Sequence, residues 1–378
     1  MTTPSVTLIK SELFRQGGLE KYTWQIARNF CELGYSLTLL TTGTFPPPFS
    51  HPLLKIVSLP IQHALGVLNV WHFDKECCRY VQENPTDIVF SLDRNRAPTH
   101  IRAGNGVHAA YLERRVKEEG ILKWASFACN PLHQAILHLE KKAIENPALK
   151  VLFTNSEMVK TEVLQYYSID PCKIQVVHNG VEWQAMQQPF DQWSEQRESL
   201  CRASNLDPDA LQLLFIGHNF RRKGLEKLLV ALSLLPLEHF QLSVIGRDKN
   251  APYFIRLAQR LGMEKKVFFF GTQQQALPFY QIADCLCIPS LYDPFANVTV
   301  EALAMCLFVI SSKTNGGHEI LNSENGTIID DLLNPSSLVH ALNIALQHRK
   351  TPQSARLIRQ SVQHLDFSKQ LHTLIESL

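Results

Sequence analysis

Ser290-Leu-Tyr-Asp-Pro-Phe-Ala-Asn-Val-Thr-Val-Glu-Ala-Leu-Ala304 decides how this chain folds. Directly ahead of it runs Ala283-Asp-Cys-Leu-Cys-Ile-Pro289, a short apolar stretch suited to a strand covered on both faces. Pro294 can stop that strand, and Asn297 tolerates turn geometry. Beyond them Val298, Val300, Leu303 and Phe308 leave Glu301 as the only charge in an otherwise apolar helix. A helix beginning near Ala296 aims the amides of Ala296, Asn297 and Val298 back at the strand end. Those amides and the helix dipole favour an anion there. Asp293 sits at the mouth and Glu301 two turns into the helix, with seven residues between them. A phosphate fits between two such acids only if each acid binds something else, and sugar and ribose hydroxyls are the natural partners.

Outward from this stretch the chain alternates strand and helix. Strands are expected over 6–10, 36–41, 55–59, 87–92, 100–103, 150–154 and 173–177, with helices over 20–33 and 70–82. The pattern then restarts with strands over 212–216, 241–245, 266–270, 284–288, 307–311 and 326–329. Each strand is nearly continuous in apolar residues, so the expectation is an α/β chain with parallel sheets flanked by helices. Residues 182–204 are Gln-rich, contain proline and lack strand character, which reads as the hinge between two halves. The domains expected are 1–183 and 184–354, followed by an amphipathic helix over 355–378. Two such halves place ligands at the carboxyl ends of their strands.

Length and composition agree with two domains. The 378 residues include 45% hydrophobic and 19% charged residues, enough for two cores. The net charge of +2 argues for no nucleic-acid partner. Nine cysteines occur without metal spacing, as reduced core thiols of a cytoplasmic protein would. Residues 6–9 are strand-length, short of a signal-peptide core, and no run reaches the roughly 20 apolar residues of a membrane-spanning helix.

A second motif is Leu213-Leu-Phe-Ile-Gly-His-Asn-Phe-Arg-Arg-Lys-Gly224, ahead of a helix over 225–235. A strand, a glycine, a polar loop with Asn219 and then a cation pair describe a diphosphate clamp. Arg222 can grip phosphate bidentately and Lys223 acts as a point charge. The alternative is a solvated basic helix start, which opposes the helix dipole. Removing Arg222 or Lys223 is expected to cripple activity with the fold intact. A third motif, Gly104-Asn-Gly-Val-His108, puts a histidine just past a strand end in a glycine-rich loop. His108 is read either as a site residue or as a helix-start histidine without catalytic duty. Arg94, Arg96, Arg102, Arg114 and Arg115 crowd the same half, either as a solvated surface or as a grip on an anionic acceptor. Asp207-Pro-Asp209 has the spacing of a metal-binding Asp-x-Asp, but it sits in a polar turn and is expected to hold no metal.

Two acids with seven residues between them, Phe295 among those, and the second followed by alanine, resemble the Glu-x7-Glu signature of retaining glycosyltransferases of family 4. Asp293 stands where that family usually has Glu. The resemblance implies the GT-B architecture, two facing Rossmann-like domains with the final helix crossing back to the first. It implies a hexosyltransferase that takes a nucleotide-diphospho-sugar, with UDP-glucose the donor expected, and needs no metal or other cofactor. Within the family the likeness runs to the bacterial lipopolysaccharide-core glucosyltransferases, so a glycan or lipid-linked glycan acceptor is expected, with a monomeric enzyme. By the same resemblance Asp293 and His108 orient the sugar and Glu301 holds the ribose. Arg222 and Lys223 hold the diphosphate, and Gly17 and Gly18 let the backbone approach it. Asn219 and the segment Phe295, Ala296, Asn297 and Val298 complete the donor contacts, while His178-Asn-Gly-Val181 resembles a structural turn near the hinge. A catalytically silent nucleotide-sugar-binding or membrane scaffold protein, and a GT-B epimerase, are the rival readings.

Residues 112–142 mix Arg114, Arg115, Lys117 and Lys123 with Ile121, Leu122, Trp124 and Phe127. Basic residues beside Trp and Phe suit an anionic bilayer, about 1 kcal/mol per cation. The alternative is a helix pair covering the sheet. The expected location is cytoplasmic, peripheral on the inner face of the cytoplasmic membrane.

Overall fold

The computed structural model describes residues 3–13, 18–43, 46–61, 63–236 and 239–378. They divide into two compact units, one formed by Met1–His178 with Gln370–Leu378 and the other by Asn179–Lys369. In the first unit seven parallel strands line up in the order β3-β2-β1-β4-β5-β6-β7. They are β1 (Ser5–Ile9), β2 (Ser36–Thr42), β3 (Leu54–Leu59), β4 (Ile88–Ser91), β5 (His100–Arg102), β6 (Val151–Thr154) and β7 (Ile174–Val176). The second unit has six parallel strands in the order β10-β9-β8-β11-β12-β13. These are β8 (Leu211–Ile216), β9 (Phe240–Ile245), β10 (Val267–Gly271), β11 (Cys285–Ile288), β12 (Phe308–Ser312) and β13 (Gly326–Ile329). Every strand expected from the sequence is present, with its ends displaced by one residue at most.

The second sheet shows why its strands read as continuous apolar runs. In β11, Cys285 and Cys287 join one core cluster with Leu213, Phe215 and Phe308, whereas Leu286 and Ile288 join another with Leu214, Val300 and Val309. Alternate residues thus meet helices on opposite faces of one sheet. Burial pushes the Cys287 thiol up to about 12, consistent with an inert core residue.

Residues 182–204, read as the hinge, lie in the second unit. Trp183 and Trp193 are buried there, and helices Gln187–Asp191 and Trp193–Ala203 follow. The single helix expected over 355–378 is two, Pro352–Ser361 and Phe367–Glu376. The break arises because Leu365 and Phe367 spend backbone groups on Val181: the Val181 amide donates to Leu365 O and the Phe367 amide to Val181 O, both at 2.9 Å. Gly180 permits this approach, since a Cβ there would lie 2.6 Å from Phe367 Cα. Finally, residues 112–142 form three helices rather than a pair: His108–Glu119, Ile121–Ala128 and Pro131–Ile144. Gly120, at φ +90°, breaks the first from the second.

His100 in β5 is fully buried and shares a 2.8 Å hydrogen bond with Thr99 Oγ1. Burial, and then the charge of Lys150, push its pKa down to about 4. Between pH about 6.5, the ordinary histidine value, and about 4 the unfolded chain binds a proton that the fold refuses. Stability is therefore complete above about pH 6.5 and falls on acidification toward 4. Denaturant titrations across this range should show that fall in the wild type and a shallower one in His100→Gln; equal slopes would exclude His100 as a source.

Candidate active site

In the second unit the loops at the carboxyl ends of β8, β11 and β12 converge on Asp293. After β8 the chain turns through Gly217, and Asn219 takes the left-handed conformation at φ +58°. Its side chain accepts from the Arg222 amide at 3.2 Å and its carbonyl accepts from the Lys223 amide at 3.1 Å. Gly224, at φ +82°, then starts the helix Leu225–Ser233. A Cβ on Gly224 would fall 1.9 Å from Pro289 O, so the β8 and β11 loops touch through bare backbone.

The two cations at this turn meet the first acid of the signature. Lys223 Nζ is hydrogen-bonded to Asp293 Oδ2, and Arg222 Nη1 lies 3.3 Å from the same oxygen. Arg222 also donates to Tyr292 O at 2.9 Å. Asp293 is only 7% exposed. Burial pushes its pKa up, but the charges of Lys223 and Arg222, with the Lys223 and Phe295 hydrogen bonds, outweigh that and hold the carboxyl below its usual range. Burial acts on Lys223 in the opposite sense, lowering its pKa, with Asp293 opposing. Two cations against one carboxylate leave the cluster one positive charge in excess, beside a helix N-terminus.

That helix is Asn297–Ala304, and Ala296, the residue ahead of it, has no capping side chain of its own. The Ala296 amide, expected from the sequence to face a ligand, instead donates to Asn315 Oδ1 at 3.0 Å. Asn297 and Val298 hold the first helical amides, and Asn297 Oδ1 accepts from Asn179 Nδ2 at 2.6 Å. Asn179 also donates to Phe295 O at 3.2 Å, so the turn at 178–181 supports the site loop directly.

Asn315 itself is the residue that sequence reasoning missed. It is fully buried, accepts from Gly317 N at 3.1 Å and donates to Ser311 Oγ at 2.9 Å. Its neighbours pair with Asp293 through the main chain: Asp293 N donates to Thr314 O and Gly316 N to Asp293 O, both at 2.9 Å. The available signal was Thr314-Asn-Gly-Gly317 directly after a buried strand. Glu301, on the fifth residue of the helix, accepts a 2.8 Å hydrogen bond from Tyr280. Asp207 Oδ1, in the Asp-x-Asp pattern, accepts its own turn's Asp209 amide at 3.0 Å.

The first unit presents His108 at the start of its helix. Both oxygens of Glu140 accept the His108 amide, at 3.0 and 2.9 Å, supplying the negative charge that a helix N-terminus favours. Glu140 also receives Arg94 Nε at 2.6 Å and Tyr167 OH at 2.5 Å. His108 Nε2 shares a 3.0 Å hydrogen bond with His133 Nδ1, a partner with no sequence signal. Burial first, then Arg94, lower the His108 pKa to about 4, so its ring is neutral at pH 7. Gly18 begins the helix Gly18–Glu32, and Gly17 lies outside the described residues.

The arginines read as a grip on an anionic acceptor are already engaged. Arg94 is paired with Glu140, Arg96 with Asp74, Arg114 with Glu162 and Arg115 with Glu119, at 2.6–2.8 Å. Arg102 is buried, bonded to Val177 O at 3.1 Å and lying over the Tyr22 ring. Apart from the Arg115–Glu119 pair, which lies within one helix, they join separate segments of the unit.

Comparison with known proteins bears on the family and the fold. The profile described as Glycosyltransferase Family 4 matches residues 16–184, and that of Glycosyl transferases group 1 matches residues 196–364, one for each half. The chain belongs to these GT-B glycosyltransferases, and it is an enzyme of the transferase class. It is similar to the lipopolysaccharide glucosyltransferase WaaG of Escherichia coli K12, with 24% identity over 88% of this chain and 87% of that one. An uncharacterized glycosyltransferase, MJ1607 of Methanocaldococcus jannaschii, is 29% identical over 52% of this chain; the match spans half of that protein's length. Among solved structures, a WaaG crystal structure superposes with a TM-score of 0.79 at 21% identity, covering 98% of both chains. Anabaena Alr3699/HepE in complex with UDP-glucose gives 0.71 at 16% identity, over 99% of this chain and 100% of the other.

The buried ion pair changes one expectation drawn from the sequence. Lys223→Ala strands Asp293 without its closest cation, so besides its effect on activity it should lower stability by about 3 kcal/mol or more. Arg222, more exposed than Lys223, should cost well under half as much. Urea unfolding of the two variants and the wild type should give that order; a Lys223→Ala stability equal to wild type would mean that the Lys223–Asp293 pair contributes nothing.

Proposed function

We propose that the chain is a retaining, metal-independent glycosyltransferase that moves glucose from UDP-glucose onto a lipopolysaccharide-core glycan. The observation that carries this reading is the Arg222–Lys223–Asp293 cluster set beside the helix that bears Glu301. Its excess positive charge and the amides of Asn297 and Val298 suit a diphosphate. Asp293 is left to accept from sugar hydroxyls, and Glu301 from the ribose. Similarity along most of this chain to WaaG, a lipopolysaccharide glucosyltransferase, supports the acceptor class. The UDP-glucose of the HepE complex supports the donor.

In this mechanism the bond between glucose C1 and the diphosphate oxygen breaks while the acceptor oxygen bonds to C1 on the same face. The departing diphosphate takes the acceptor proton, and Arg222 and Lys223 stabilise the charge that grows on it. No protein nucleophile or separate base is needed. His108, neutral at working pH, serves as a hydrogen-bond partner for sugar hydroxyls rather than as a proton donor.

Membrane attachment is part of the proposal, with a changed physical basis. Lys117 pairs with Glu113 at 2.6 Å, Lys123 lies 3.4 Å from Glu119, and Arg114 and Arg115 are paired as above. Carboxylates beside every one of the four cations leave little net charge for anionic lipid. By contrast Ile121, Leu122 and Trp124 are 73%, 86% and 62% exposed on one short helix. We assign the bilayer contact to these three apolar side chains, with the cations secondary.

Calorimetry tests the donor site. Glu301→Gln should weaken UDP and UDP-glucose alike by about tenfold. Asp293→Asn removes the charge that neutralises the clamp, so UDP affinity should hold or rise while the extra affinity from glucose disappears. The reverse order would mean that the two acids are misassigned. With the acceptor present, turnover should survive a chelator and yield an α-linked product; loss of turnover or a β linkage would overturn the mechanism. On vesicles, Leu122→Asn/Trp124→Ser should abolish most co-sedimentation in 0.5 M salt, whereas charge-neutral Lys117/Lys123 variants should keep it. Salt-sensitive binding lost with the lysines instead would restore the electrostatic account.

A further inference from the structure

Glu301 is held from below by a phenol that no part of the proposed reaction uses. Tyr280 lies on the short helix Leu277–Ile282, and its ring is 2% exposed. Its hydroxyl donates to Glu301 Oε2 at 2.8 Å. A carboxylate on a flexible two-carbon stem samples several rotamers when unrestrained, and each must be frozen when a ligand binds. A buried donor on one oxygen restricts that freedom before a ligand is bound.

Tyr280 is itself fixed from the other side. Lys350 Nζ donates to Tyr280 O at 2.8 Å, at the C-terminal end of the same short helix. Lys350 in turn lies 4.7 Å from the centre of the Trp193 ring, and its own amide donates to Asp284 at 3.1 Å. Arg197 closes this layer with a bidentate pair to Asp284, at 2.9 and 2.8 Å. The phenol pKa is driven well above its ordinary value, by burial first and then by the Glu301 charge, so the hydroxyl remains a donor.

We infer that Tyr280 is a positioning residue for Glu301, and that the Tyr280–Glu301 hydrogen bond sets how strongly the enzyme distinguishes a ribose with its hydroxyls from one without. Lys350 and Trp193 form the layer that holds Tyr280 in place. This inference rests on the assignment of Glu301 to the ribose, so the test separates the two.

UDP and 2′,3′-dideoxy-UDP are titrated calorimetrically into the full-length wild type, Tyr280→Phe, Glu301→Gln and the double variant. The readout is the dissociation constant of dideoxy-UDP divided by that of UDP, a ratio that a partly unfolded fraction does not alter; such a fraction appears in the binding stoichiometry instead. Tyr280→Phe keeps the ring and its packing. It should weaken UDP by about three- to tenfold, leave dideoxy-UDP unchanged and so lower the ratio. Glu301→Gln should lower the ratio at least as far, and the double variant no further than Glu301→Gln alone. A full wild-type ratio in Tyr280→Phe, with the ratio lost in Glu301→Gln, overturns the role of Tyr280 while the ribose assignment stands. Equal weakening of both ligands in Tyr280→Phe reduces the phenol to a packing group and also overturns it. A wild-type ratio in Glu301→Gln overturns the ribose assignment itself.

Discussion

The buried pair of Lys223 and Asp293 sets the terms for the rest of the second unit. A lysine ammonium and a carboxylate out of water are tolerable only together and with their remaining hydrogen bonds made. Meeting that demand shapes three loops. Gly217 lacks a Cβ where the Lys223 stem crosses it, since a methyl there would stand 3.0 Å from Lys223 Cγ. The β11 loop brings Asp293 within reach, and the β12 loop pins its backbone on both sides through Thr314 and Gly316. Asn315 then fastens the residue preceding the helix of Glu301. The same pair that makes the site expensive to build makes it preorganised: Asp293, its cations and the start of the Glu301 helix are fixed by contacts within the protein.

The first unit solves a similar problem with Glu140. One buried carboxylate serves Arg94, Tyr167 and the amide of His108, so the helix Pro131–Ile144 fixes the start of the helix His108–Glu119. The His108 ring is left neutral and tied to His133. A neutral imidazole in fixed hydrogen bonds can orient hydroxyls, and it is a poor source of protons at pH 7. This agrees with a reaction in which the leaving diphosphate handles the proton.

Charge on this protein is mostly local. The arginines and lysines of residues 94–123 look like a basic surface when read along the chain, yet nearly every one is spent on a carboxylate one helix turn away or on a neighbouring element. Exposed apolar side chains on the helix Ile121–Ala128 then become the distinctive surface feature. Attraction of that kind falls off with contact rather than with ionic strength.

The strands, their parallel alternation with helices and the motif carrying Asp293 and Glu301 were all determined by sequence. Continuous apolar runs and a strand-turn-helix with two acids are local patterns with local causes. The sequence placed the cations of Arg222 and Lys223 in the right loop as well. Tertiary structure decided what those groups touch. Lys223 meets Asp293 from 70 residues away, and Tyr280 meets Glu301 across 21. Asn315 reaches Ala296 and His133 reaches His108, pairs that no spacing announces. The long C-terminal helix failed for the same reason, because Leu365 and Phe367 give their backbone groups to Val181, far back in the chain. Secondary structure depends on neighbours in sequence, but the partner of a buried polar group is whichever donor or acceptor the packed fold brings within about 3 Å.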